Sequence, residues 1–134
     1  MLVDAIANAT LNAYLGATTI LPATVYIGLM TSSPNPDGTG VVEPVGNNYA
    51  RVGVPNNPTN WPAASARIKT HAFDITFNAA TGVGWGTVTH VGIFDALSGG
   101  NVRLYDALAT PRLIANTDIY RFLAGGANAL KVSF

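Results

Sequence analysis

The first fifteen positions repeat at helical spacing. Placed on a helical wheel, residues 2–15 gather Val3, Ile6, Ala7, Thr10, Leu11 and Tyr14 on one side and Asp4, Asn8 and Asn12 on the other, which predicts an amphipathic N-terminal helix. Asp4 in its first turn complements the helix dipole, and Gly16 suits the C-terminal cap. After that the period changes to two. In ATVYIGLMTS, Val25, Ile27 and Leu29 share one face while Tyr26, Gly28 and Met30 share the other, so both faces of this strand are expected to be covered.

Residues 33–48 are rich in Pro, Gly and Asn and predict a long loop, followed by a short strand around YARVGV. Residues 55–66, with three prolines, predict a second long loop. Loops of this length in a small domain usually carry function or lie against a neighbour. HAFDITF sets Phe73, Ile75 and Phe77 in register, GTVTHVGIFDA reads as a central strand, and NVRLYDALA, TDIYRFLA and ALKVSF follow. The dipeptides Gly99-Gly100 and Gly125-Gly126 mark turns between them. The expected fold is mainly β: a single domain over 1–134, an antiparallel β-sandwich or jelly-roll-like barrel with one amphipathic helix at its N-terminus.

Composition narrows the partners. Seven basic and seven acidic residues cancel, and charged residues make up 10% of the chain where a soluble domain averages about 25%. With no run of Lys or Arg there is no footprint for a phosphate backbone or an anionic bilayer, so neither nucleic acid nor membrane is expected as a partner. A neutral surface on a chain that is 49% apolar favours self-association, and a closed homo-oligomer is expected. Cysteine is absent, which excludes disulfides, thiolate metal sites and cysteine nucleophiles. Asp4, Asn8 and Asn12 interrupt the apolar N-terminal stretch, which predicts neither a signal peptide nor a membrane span.

Candidate chemistry fails on geometry. His90 and Asp95 are five apart, so in an unbulged strand they point to opposite faces, with His90 sharing a face with Val88, Gly92 and Phe94. Asp95 falls at a turn, where its carboxylate can accept backbone N–H groups. His71 and Asp74, three apart, fail by the same parity. Two isolated histidines and seven scattered acids offer no metal-ligand spacing, Asp37 to Gly40 lacks the further acids of a calcium loop, and the glycines of GVGWG precede no helix that could hold phosphate. No serine stands in a Gly-x-Ser-x-Gly elbow. No catalytic residue, metal or cofactor is expected. Trp61, Trp85, Tyr49 and Tyr120 leave one alternative, a stacking platform for host-surface glycans.

WGTVTHVGIFDALSGGN, at Trp85 to Asn101, followed by LYDALATPR, resembles a family of small tailed-phage virion proteins described as tail-fibre-like. LPATVYIGLMTSSP, DGTGVVEPVGNNYARV and DITFNAAT occur in the order that family shows, so the likeness covers most of the chain. The resemblance implies a non-enzymatic structural component of the virion, assembled in the host cytoplasm as a homo-oligomer, a trimer by the habit of phage surface proteins. Its partners would be other virion proteins, such as the major capsid or tail proteins. The chain shows no repeat or heptad of an elongated shaft, so a capsid decoration (cement) role is weighed above a fibre. Val3, Ile6, Thr10 and Tyr14 on the helix stripe, Trp61 in the second loop and His90 are the residues expected to meet neighbours.

Overall fold

The computed structural model describes residues 1–15 and 22–133; the expected cap at Gly16 and the side chain of Tyr14 lie outside the described residues. A helix, α1 (Asp4–Tyr14), precedes eight strands: β1 (Thr24–Met30), β2 (Val52–Pro55), β3 (Ile68–Thr70), β4 (Ile75–Thr76), β5 (Gly86–Phe94), β6 (Val102–Ile114), β7 (Arg121–Phe122) and β8 (Lys131–Ser133). β2, β1, β5 and β6 form one antiparallel sheet in that order, and β3–β8 and β4–β7 form two short antiparallel ribbons. The fold is the mainly β, sandwich-like architecture that the period-two segments predict.

The four-stranded sheet is covered on both faces. One face carries Val25, Ile27, Leu29, Val88, Val91 and Ile93, which pack with Phe77, Trp85, Phe122 and Leu130 into the larger core. The other carries Met30, Phe94, Val102 and Tyr105, which pack against Val3, with Ile6, Tyr26 and Val41 at the margin. β1 and β5 are therefore apolar on both sides, because each is flanked by two strands and sandwiched between two layers. Pro111 sits within β6, where a missing N–H is tolerated because β6 is the edge strand.

At the centre of the second face Gly28 and Gly92 are cross-strand partners. A Cβ on either would lie 2.8 Å from Phe94 Cε2, so the two glycines open a pit that the Phe94 ring fills. This is why two apolar strands each carry a glycine mid-run.

Three expectations change. The register with β6 breaks between Val88 and His90, where two steps along β5 face five along β6, and Val88 joins Val91 and Ile93 in the larger core while His90 keeps the face of Gly92 and Phe94. Val88 and His90 therefore do not share a face. Phe73 is exposed while Ile75 and Phe77 are buried, since β4 spans only two residues and the chain before it is turned outward. Leu11, placed on the apolar stripe of α1, is also exposed: the burial at this end belongs to Val3, just before the helix, while Ile6, Ala7 and Thr10 are half-buried.

Candidate functional site

Arg51 is the most deeply buried cation. Its Nε and Nη2 donate to the two carboxylate oxygens of Glu43 at 2.9 and 2.6 Å, and its Nη1 donates to the carbonyls of Ala96 and Gly99 at 2.7 and 2.8 Å. The guanidinium also lies 3.6 Å over the centre of the Phe94 ring. Tyr49 donates its hydroxyl to Glu43 at 2.7 Å and accepts the Leu29 N–H at 2.9 Å. Burial, then the charge of Glu43 beside it, pushes the Tyr49 hydroxyl well above the ordinary phenol range. With nearly every donor and acceptor occupied, the cluster is a pin that ties the 41–46 loop and the 95–100 turn to the sheet. No motif marks Glu43, Tyr49 and Arg51 as a unit; the only signal in the sequence is two opposite charges eight positions apart in a chain with few charges.

Asp95 behaves as a turn residue should. It accepts the Asn101 N–H at 2.7 Å and Arg103 Nη2 at 2.6 Å, and although burial pulls its carboxyl upward, these bonds outweigh it and hold the carboxyl below the usual carboxylate range. His71 is buried, with Nδ1 2.6 Å from the Phe73 carbonyl and Nε2 accepting the Leu130 N–H at 3.0 Å. Both ring nitrogens are occupied by backbone, so His71 fastens the chain before β4 to the approach to β8. His90 is half-buried and meets its neighbour Thr89 through Nδ1 at 2.8 Å. Among the described residues no group of three or more His, Asp or Glu converges as a metal site would require, and no helix is long and apolar enough to cross a membrane.

The residues expected at interfaces are not brought together. Val3 is 2% exposed and Trp61 6%, both inside the fold, while Ile6 and Thr10 are half-buried on α1. Trp85 is buried as well, and its Nε1 donates to the Asn47 carbonyl at 2.8 Å. Tyr49 is half-buried and locked in the pin, and Tyr120 is half-buried with its ring edge-on to Phe77 and Phe122.

The exposed feature that the structure does assemble runs along β6. Three depressions of about 260, 420 and 290 Å³ lie between this strand and the C-terminal segment; neighbours in the row share lining residues, first Asp106 and Leu130, then Arg112 and Tyr120. At one end residues 1–3 add to the strand: the Tyr105 N–H donates to the Met1 carbonyl at 2.8 Å and Leu2 bridges Leu104. Beyond Tyr105, the pairing of β5 with β6 passes from His90–Ala107 to Val88–Arg112, so residues 108–111 arch away from β5. Leu113 stands 64% exposed beside the half-exposed Ile119.

A small, mainly β, sandwich-like module whose conspicuous exposed features are shallow depressions along an edge strand is the class that this fold and surface define. The chain matches the family model described as Podophage GP4 fiber I protein gp80 over residues 2–130, and it belongs to that family. It is thus a tailed-phage protein of the tail-fibre-like kind that the motifs around Trp85–Asn101 resemble, a structural component of the virion. No curated protein matches it.

Proposed function

We propose that this protein is a non-enzymatic building block of a phage tail fibre, assembling as a homo-oligomer and attaching to other virion proteins by its surfaces. The family match over residues 2–130 carries this reading and favours the tail over a capsid-decoration role. The surface supports it: the two ion pairs, Glu43–Arg51 and Asp95–Arg103, lie mostly covered, and much of what remains outside is Ala, Thr, Asn, Val and Leu. Charged side chains are sparse on such a surface, so contacts can form between neutral groups with few ions to strip of water, a cost that otherwise opposes assembly. Buried Trp61 and Trp85 weigh against the glycan-binding alternative.

Imaging particles that carry a density-labelled copy of this chain tests the proposal. A small number of copies at the tail is the expected result. Copies distributed over the whole shell would make it a decoration protein, and its absence from purified particles would remove it from the virion.

A further inference from the structure

Three parts of the chain meet at the buried ring of His71. The residue follows β3, its ring stands edge-on to Trp61 of the 55–66 loop with centroids 6.4 Å apart, and its two nitrogens reach the Phe73 carbonyl and the Leu130 N–H. These partners fix the tautomer. A carbonyl 2.6 Å from Nδ1 needs a proton there, and an N–H aimed at Nε2 from 3.0 Å needs a bare lone pair, so the ring is the neutral Nδ1–H form, as inferred from its partners. A second proton can go only to Nε2. There it meets the Leu130 N–H head-on and forfeits that bond.

The charges on the surrounding elements do not favour an imidazolium. Lys69 on β3, Arg121 on β7 and Lys131 on β8 are cations, and the 55–66 loop carries no charged residue. Asp74 turns its Oδ1 to the Ala124 N–H at 2.9 Å, and neither ion pair among the described residues includes His71. What the bond holds is a short element. β8 pairs with β3 over three residues and belongs to neither of the other sheets, so its attachment rests on that pairing, the packing of Leu130 and Val132, and the bond to His71. We propose that His71 is an acid-operated latch: protonation of Nε2 breaks the bond to Leu130 and frees residues 130–133, while the four-stranded sheet stays folded. Leu130 and Lys131 line two of the depressions beside β6, so release remodels that surface.

The latched ring has no place for a second proton, whereas the released ring takes one near pH 6.5, as an ordinary imidazole does. The latch is therefore whole above about pH 7 and loosens as the pH falls; at pH 5 the opening equilibrium shifts about thirtyfold. Amide exchange of the full chain by NMR at pH 7.5 and pH 5, with the ring 15N shifts of His71 and with His71→Gln alongside, tests this. Protection factors of residues 130–133 are expected to fall about thirtyfold at pH 5 while those of β1 and β5 hold. The ring shifts are expected to show the Nδ1–H tautomer at pH 7.5. His71→Gln, whose side-chain oxygen can accept the Leu130 N–H and cannot take a proton, is expected to keep its protection at both pH values. Unchanged protection at pH 5, a loss shared equally by β1 and β5, an equal loss in His71→Gln, or a doubly protonated ring with residues 130–133 still protected would overturn the proposal. Should the variant not fold, the amides and ring nitrogens of the parent decide it alone.

Discussion

Tyr49 shows how one side chain can hold two layers. Its hydroxyl bridges the Leu29 N–H of a central strand and the Glu43 carboxylate of a loop, while its ring packs edge-on to Trp85 with centroids 5.2 Å apart. Tyr49→Phe keeps the ring but leaves an N–H and part of a carboxylate unanswered, a loss of about 1–3 kcal/mol, read from the urea midpoint at pH 7. The sign of the pH effect follows from the raised hydroxyl. The folded state holds its proton more tightly than the unfolded chain, whose phenol titrates near 10.0, so this contribution is whole below pH 10 and falls as the pH rises above it. The parent protein should therefore lose stability above pH 10 more steeply than Tyr49→Phe, in parallel urea titrations at pH 9 and 11. Equal slopes would mean that Tyr49 does not titrate against folding.

Among the elements, the hairpin before β3 is the least well matched to its own residues. Ser65 and Ile68 exchange both backbone hydrogen bonds at 3.0 and 2.9 Å, so Ala66 and Arg67 occupy the two central turn positions, with φ of 51° and 66°. That geometry favours Asn-Gly, because a Cβ at positive φ crowds the carbonyl that follows it. Ala66→Asn with Arg67→Gly is expected to raise stability by about 1 kcal/mol, visible as a higher thermal midpoint; a lower midpoint would mean that the Arg67 side chain contributes more than its strain costs. The central strands are legible in the sequence because apolar residues on both faces of 24–30 and 86–94 demand a layer on each side. The loops at 33–48 and 55–66 are legible from Pro, Gly and Asn, and Gly99-Gly100 marks the β5–β6 turn. What stays hidden depends on contacts distant in sequence. The break in register at Thr89, opposite the arch of residues 108–111, separates Val88 from His90 only once β6 is alongside, and no local pattern links Arg51 to the carbonyls of Ala96 and Gly99. The candidate surface on β6 is legible only as a strand, since its edge position depends on the whole sheet order.

At the scale of the molecule, the N-terminus acts as part of the second layer rather than as a free appendage. Val3 is buried beneath α1 against Met30, Phe94 and Val102, the Met1 amino group donates to the Tyr105 carbonyl, and the Asp4 N–H donates to the Pro36 carbonyl at 3.1 Å. The helix thus closes one face of the sheet, which explains why the neighbour-facing role expected for Val3 is taken up inside the protein. Removal of residues 1–3 is expected to cost at least about 2 kcal/mol, from the burial of Val3 alone, in urea unfolding of the shortened chain. An unchanged midpoint would show that the second layer stands without them.

The pin of Glu43, Arg51 and Phe94 separates what this end of the domain displays from what holds it up. Val45, 91% exposed, and Leu97 stand beyond it, attached to loops whose paths are set by bonds to backbone carbonyls and to buried charges. Substitutions at such tips ordinarily change stability by no more than about 0.5 kcal/mol. Val45 and Leu97 can therefore be exchanged for other side chains, giving this end a different contact chemistry while the pin and the core beneath it stay as they are.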